Sequence, residues 1–304
     1  MSQKPIVQCG REISQEELDH IQSIVRQFSK LSLLELSCTI CEHLNWFTAS
    51  GGVKEQACMK LLQKLEADGL VKLPFYQKIT RKKASPPKLT DKTAPRPPIH
   101  CSLRELGQVE LVVADSQCDR QLFNEYVERY HYLGYKRPAG NRLRYFICAE
   151  DQVLGCLLIA GAAKALKSRD KWVGWSKDQR LLNLPWVVNN TRFVIFPWVK
   201  VPHLASHALG KLTQRVRSDC GYYWNYSPLL IETFVDPDYY QGTCYKAANW
   251  IHLGNTTGRG LKRPGESYQT RRKMIFVRPL TNNAQKQLCT IDLPQQQGDY
   301  HDSR

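Results

Sequence analysis

Pro86, Pro87, Pro95, Pro97 and Pro98 fall within one basic run, QKITRKKASPPKLTDKTAPRPPIH over residues 77–100, and no other stretch restricts the fold so sharply. Proline fixes φ and removes a backbone donor, so neither a helix interior nor a central strand runs through such a segment. The chain is therefore expected as two folded parts joined by a semi-rigid linker over residues 77–103. Lys78, Arg81, Lys82, Lys83, Lys88, Lys92 and Arg96 face only Asp91 there. That charge can follow a phosphate backbone, and it also serves simply to keep a linker hydrated.

Upstream, residues 1–76 read as helical. Ser14 with Glu17 and Ser32 with Glu35 have the spacing of a capping box, in which hydroxyl and carboxylate each satisfy an otherwise orphaned amide. The first opens a helix reaching Phe28, the second a helix through Leu34, Leu36, Ile40 and Leu44. A turn at Ser50-Gly51-Gly52 precedes a third helix over residues 53–67, closed by Gly69, and residues 70–74 read as a short strand. Three helices followed by a strand is the order of a winged helix-turn-helix, whose last helix enters the major groove. On the third helix Ala57, Cys58, Leu61, Leu62 and Leu65 face inward. Gln56, Lys60, Gln63 and Lys64 lie outside that face, as residue types that read base edges and phosphates and that also make any helix hydrophilic.

Downstream, residues 104–280 alternate between short β-rich runs and amphipathic ones. Strands are expected over residues 109–114, 143–149, 153–160, 191–196, 229–235 and 274–277, and helices over 120–130, 201–216 and 242–251. Residues 172–186 read as an aromatic, polar connection, residues 131–135 as an aromatic loop, and residues 281–304 as a polar tail. Tyr222, Tyr223, Trp224 and Tyr226 read as core packing, with base stacking as the alternative.

The densest chemistry lies in residues 229–260, LLIETFVDPDYYQGTCYKAANWIHLGNTTGRG. Glu232 falls inside a buried strand, where a carboxylate must be paired or have a raised pKa. An ion pair with Arg192 is one reading. A catalytic role shared with Asp236 and Tyr245 is the other, because perturbed carboxylates collect at active sites. Gly254 is expected to stop the helix over residues 242–251. The loop Gly258-Arg259-Gly260 then offers free amides and a cation to a phosphate. Arg259, Lys262, Arg263, Arg271, Arg272 and Lys273 face only Glu266.

The chain's 43 Lys and Arg exceed its 28 Asp and Glu, for a formal charge of +15. Such an excess favours a polyanionic partner, DNA first. No apolar run is long enough to span a membrane, and a cytoplasmic location is expected. The eleven cysteines form no disulfide framework. Cys38 and Cys41 lack a second pair in zinc spacing, and His131, His203 and His207 read as ordinary polar or core residues.

The order strand-helix-hairpin-strand-helix-strand-helix-strand is similar to the GNAT acyltransferase fold. The resemblance implies that residues 191–212, TRFVIFPWVKVPHLASHALGKL, carry a strand into a helix whose amino terminus holds the pyrophosphate of an acyl coenzyme A. The glycine-rich signature of that family is absent, and Val201-Pro202-His203-Leu204-Ala205-Ser206 stands in its place. Four longer pieces, LSLLELSCTICEHLNW, GGVKEQACMKLLQKLEADGLVKLP, NNTRFVIFPWVKVPHLASHALGKL and ETFVDPDYYQGTCYKAANWIHLGNTTGRG, resemble the Druantia DruA family. That resemblance implies a setting in anti-phage defence or beside transposases, with defence-system or transposase proteins as partners.

The expected class is thus α+β, an N-terminal winged helix-turn-helix followed by a GNAT-like mixed-sheet domain. Three activities fit. The first is DNA binding through Gln56, Lys60, Gln63, Lys64, Arg259, Arg263, Arg271 and Arg272. The second is acyl transfer from acyl-CoA with Glu232 as base and Tyr245 as proton donor. The third is DNA strand processing with Glu232 and Asp236 on a divalent metal or Tyr245 as nucleophile.

Overall fold

Ser14 and Ser32 each accept from the backbone N–H three residues on, and Glu17 and Glu35 return the bond to the serine N–H, so both capping boxes form as the spacing predicts. They open α1 (Gln15–Gln27) and α2 (Leu33–His43). This computed structural model describes residues 6–28, 31–49, 51–73, 85–138, 140–258 and 271–290. It divides into two compact units, one within Met1–Lys83 and one spanning Ala84–Ile291.

The first unit adds a hairpin, β1 (Ile6–Gln8) and β2 (Arg11–Ile13), ahead of α1, and a third helix, α3 (Glu55–Ala67). Ile21, Leu36, Ile40, Cys41, Cys58, Leu61, Leu62 and Leu65 are fully buried in its core. The strand expected over residues 70–74 does not form in residues 70–73. The Leu70 N–H turns back to Leu65 O at 2.8 Å and the Leu73 N–H is held by Glu66 at 3.0 Å, so these amides are spent on α3 and do not form a ladder.

The second unit begins inside the proline-rich run. That run is not a free linker over its later half. Thr90 and Thr93 bind the Glu125 carboxylate, Tyr130 donates to Thr93 O at 2.6 Å, and β3 (Ile99–His100) pairs with β8 (Val199–Lys200). Prolines bar regular structure, yet side-chain acceptors and a two-residue pairing still dock the segment. After α4 (Leu103–Leu106) come β4 (Val109–Val113), α5 (Gln117–Tyr130), and the long hairpin of β5 (Arg142–Ala149) and β6 (Gln152–Gly161). Residues 172–186 are not a plain connection: α6 (Lys167–Val173), which buries Arg169, ends there at buried Val173, and α7 (Lys177–Asn183) follows with Asn183 buried.

The remaining elements are β7 (Val187–Ile195), α8 (Leu204–Trp224), β9 (Leu230–Val235), α9 (Thr243–Ala247), β10 (Ile251–Asn255), β11 (Met274–Pro279) and α10 (Ala284–Leu288). Here too the sequence expectation needs correction. The helix starting at residue 242 ends at Ala247, Asn249 turns left-handed at φ 60°, and the chain continues as β10, which pairs with β11. Gly254 lies inside that strand and does not stop a helix. The start of the expected tail is packed, with Ala284 and Leu288 buried and Asn183 Nδ2 donating to Leu288 O at 2.9 Å. Trp224 and Tyr226 are buried as expected of core packing, whereas Tyr222 is exposed.

Among the described residues, seven strands form one mixed sheet in the order β10-β11-β9-β7-β6-β5-β4. Every neighbouring pair is antiparallel except β7 and β9. The second unit is thus mixed α+β with a large mixed sheet, while the first is a small helical unit. No helix among the described residues is long and apolar enough to cross a membrane.

Candidate functional site

The parallel pair at the centre of the sheet positions the site. β7 and β9 run in register from Val187 and Leu230 to Asn190 and Thr233, and there the pairing stops. β7 continues to Ile195 against β6 on its other side. β9 continues to Val235 against β11. The two strands therefore part, and residues 191–195 and 234–236 line a cleft of about 490 Å³ between them. Peptide groups on an unpaired interior edge must find partners.

Residues of β7, β9, α8 and α9 and of the segments after α5, after β9 and before β11 complete the cleft. Its base carries Asn190, whose Nδ2 donates to the Tyr245 hydroxyl at 3.2 Å, with Thr233 Oγ1 3.5 Å from the same hydroxyl. Asn189 and Asn190 are buried, and the Oδ1 of each lacks a hydrogen-bond partner. Buried acceptors in that condition cost free energy unless a ligand or water supplies a donor. Tyr245 is clamped by Phe276, Trp250 and Phe193, and burial pushes its hydroxyl well above the ordinary tyrosine range. It is held protonated, as a donor. The Cys244 thiol beside it is likewise raised by burial, the opposite of an activated nucleophile.

One wall is cationic. Arg192 spends its Nε on Gly134 O at 2.9 Å and its Nη1 on Thr191 O at 2.7 Å, and lines the cleft. Lys273 lines it from the segment preceding β11; burial lowers its pKa, with Asp236 pulling upward and Arg192 adding to the decrease. Ala205, in the first turn of α8, also faces the cleft. The α8 helix has no side-chain cap, and its N-cap residue His203 adopts a left-handed φ of 64°. An uncapped start of a long helix presents amides and a partial positive charge to an anion.

His131 lies on the same wall. Burial, reinforced by Arg192 and Lys273, lowers its pKa from 6.5 to about 3, and its Nδ1 accepts from the Leu133 N–H at 3.1 Å. Between those two values the unfolded chain binds a proton that the folded chain refuses, so this residue makes stability fall as pH falls from about 6.5 toward 3. Asparagine at this position supplies an acceptor without a titration. The gap in thermal midpoint between His131→Asn and the parent is expected to move in the variant's favour between about pH 7 and about pH 4. Parallel curves would place His131 outside this environment.

Of the residues predicted from sequence, Arg192, Asp236 and Tyr245 line this one cleft. Glu232 does not. Its Oε2 accepts from Arg169 Nη1 at 2.8 Å and its Oε1 from the Ala163 N–H at 2.7 Å, with both side chains fully buried. The ion-pair partner is therefore Arg169 on α6 and not Arg192, whose Nε and Nη1 bind carbonyls and whose side chain lines the cleft. Burial raises the Glu232 carboxyl above its ordinary value against the pull of Arg169. Asp238, on the turn after β9, pairs outside with Arg271 at 3.1 Å. Arg271 and Arg272 are exposed. Gln56, Lys60, Gln63 and Lys64 are exposed on α3 of the first unit. Gly258 takes a left-handed φ of 71° just after β10, while Arg259, Gly260 and Arg263 lie outside the described residues. Among the described residues no group of three or more His, Cys, Asp or Glu side chains is placed to hold a metal.

His131, Lys273, Asn189 and Asn190 were not singled out as site residues by the sequence. A polar Asn-Asn pair directly after the buried Val187 and Val188 was the available signal. The two lysine and histidine positions are joined to the cleft only by the fold.

Solved structures that resemble the chain are acyltransferases. One is the aminoglycoside acetyltransferase AAC(6')-Ib in complex with coenzyme A and kanamycin, 12% identical over 59% of this chain and 98% of that one, TM-score 0.37. Another is a Bacillus subtilis acetyltransferase in complex with CoA, 10% identical over 57% and 99%, TM-score 0.33. A third is FeeM, an N-acyl amino acid synthase from uncultured soil microbes, 11% identical over 60% and 95%, TM-score 0.35. Overlaps of this extent speak to neither activity nor ligand. No curated protein matches the sequence. The family model described as Druantia protein DruA matches residues 64–264, well over half of the chain and the whole of the cleft's strands, and the protein belongs to the DruA family.

Proposed function

We propose that the second unit is an acyltransferase domain in a DNA-interacting DruA protein, with the wedge between β7 and β9 as the site for an acyl-CoA donor. The observation that carries this reading is the end of parallel pairing at Asn190 and Thr233, which leaves the edge of residues 191–195 facing the cleft. An extended ligand bearing amides can pair with such an edge as an added strand would. The start of α8, Arg192 and Lys273 are the groups that would hold its phosphates. The unpartnered Asn189 Oδ1 and Asn190 Oδ1 suit ligand N–H donors. The residues present fit the group.

The donor supplies an activated thioester. The protein's own part is positional and protonic. The wedge excludes water and orients the reacting carbon. The Tyr245 hydroxyl is kept protonated by burial and held by Asn190, so it would donate a hydrogen bond to a leaving thiolate. Asp236, inside the cleft, is the carboxylate that would take a proton from the acceptor. Glu232 has no such part in this reading, because both its oxygens are engaged by Ala163 and Arg169. Calorimetric titration with acetyl-CoA is expected to give saturable binding. No binding at about 1 mM ligand, a ΔG weaker than about −4 kcal/mol, would remove the donor from this reading.

A second reading concerns the first unit. The outward side chains of α3, Gln56, Lys60, Gln63 and Lys64, lie opposite the buried Cys58, Leu61, Leu62 and Leu65, the arrangement of a reading helix in a winged helix-turn-helix. With the chain's charge of +15, it supports duplex DNA as a partner. Duplex affinity that is absent at low salt, or flat with ionic strength, would count against it.

A further inference from the structure

Tyr239 and Tyr240 are each 55% exposed, two adjacent large rings left in solvent at the mouth of the cleft. They are not isolated. The Tyr132 ring lies 4.8 Å from that of Tyr239 and 6.0 Å from that of Tyr240, and His131 stacks on Tyr132 at 4.9 Å and 27°. The Arg271 guanidinium sits 5.9 Å from the Tyr239 ring centroid. Tyr132 and Tyr240 also line the cleft itself, so the aromatic cluster is continuous with the site and open to solvent on its outer side.

The fold has gone to some length to assemble this cluster. Tyr132 follows α5, Tyr239 and Tyr240 follow β9, and Arg271 precedes β11. Three separate chain segments meet there, without the rings being buried in a core. The charge beside them is mostly of one sign. Arg271, Arg272 and Lys273 are consecutive, and Arg192 lies on the cleft wall; the acids are Asp236 inside the cleft and Asp238, which pairs with Arg271.

We propose that Tyr132, Tyr239, Tyr240 and Arg271 form a stacking platform for the bases of an unpaired nucleic-acid strand, passing over the mouth of the cleft. Exposed rings next to arginine are what single-strand binding requires: each base offers a π-face to an aromatic side chain, and cations follow the backbone. A proline-rich peptide also docks on exposed tyrosines, but the run Arg271-Arg272-Lys273 favours a polyanion. A duplex keeps its bases stacked on one another and cannot use the platform. The inference stands whether or not the wedge takes an acyl donor. It is also separate from the α3 face, which lies in the other unit.

The test is fluorescence anisotropy with labelled oligothymidylate and, separately, a labelled duplex of the same length, using the full chain. The parent is expected to bind the single strand. Tyr239→Ala with Tyr240→Ala is expected to weaken that binding by about thirtyfold or more, through the loss of two stacking faces, and to leave duplex affinity unchanged. Tyr239→Trp keeps a stacking face and should retain affinity. Both tyrosines are exposed, so an unchanged thermal midpoint is expected and confirms that the variants are folded. Three results would overturn the platform: no single-strand binding by the parent at low salt, an equal loss for duplex and single strand, or binding of a proline-rich peptide in place of the oligothymidylate.

Discussion

Replacing Arg169 with methionine is expected to lower unfolding stability by about 3–5 kcal/mol, the largest loss from a single change in the second unit. The side chain is fully buried and makes four hydrogen bonds: Nη1 to Glu232 Oε2 and Ala163 O, and Nε and Nη2 to Asp170 Oδ1, with its guanidinium 5.4 Å from the Trp175 ring centre. Removing it strands the Glu232 carboxylate in the sheet with one remaining donor, the Ala163 N–H. The cost comes from the charge left behind more than from the pair's own attraction, since desolvation offsets much of a buried ion pair. Glu232→Gln keeps the Ala163 bond and removes the charge, so its cost should be clearly smaller. Urea denaturation of the two variants, at constant m-value, measures the difference. Equal losses would mean that Glu232 is not held as described.

Arg192→Ala with Lys273→Ala is expected to weaken acetyl-CoA binding by about a hundredfold or more. Hydrogen bonds to charged groups contribute roughly 1.5–3 kcal/mol each, and the two cations share one wall of the cleft. Arg192 also holds Gly134 O, so Lys273→Ala alone provides the cleaner comparison, with a loss of about tenfold and little change in stability. Calorimetric titrations with and without added salt separate the charge contribution, because dissolved ions screen the attraction between these cations and the phosphates. An unchanged affinity in the double variant would move the phosphate-binding part of the site elsewhere.

Local signals in the sequence were reliable where neighbours along the chain decide the structure. The hydroxyl and carboxylate of each capping box are three residues apart, and α1 and α2 begin where they indicate. The strands at 109–113, 142–149 and 230–235 follow from β-rich runs bounded by turns. What failed depended on distant partners. The stretch Ala-Ala-Asn-Trp-Ile-His has helical composition, yet the left-handed Asn249 ends α9 and β11 recruits residues 251–255 as an edge strand. The proline-rich run looked unable to pack, but Glu125 on α5 binds Thr90 and Thr93 from more than thirty positions away.

The site divides in the same way. Asp236 and Tyr245 were legible because they belong to one dense segment that ends a buried strand. Glu232 was recognisable as a carboxylate needing a partner, but the partner was not, since Arg169 stands 63 positions away on α6, a seven-residue helix outside the elements read from the sequence. The cleft itself was invisible in the sequence. It exists because two parallel strands separate after four paired residues, a property of register and not of residue type.

If this separation is a ligand site, hydrogen exchange of β7 will report the ligand's arrival. Amides of residues 191–195 that face the wedge lack a strand partner in the free protein and are expected to exchange faster than those bonded to β6. Saturating acetyl-CoA should slow that exchange in residues 191–195 and at the first turn of α8, with β4 and β5 unaffected. Protection confined to other segments, or unchanged exchange at residues 191–195 with the ligand bound, would contradict the account.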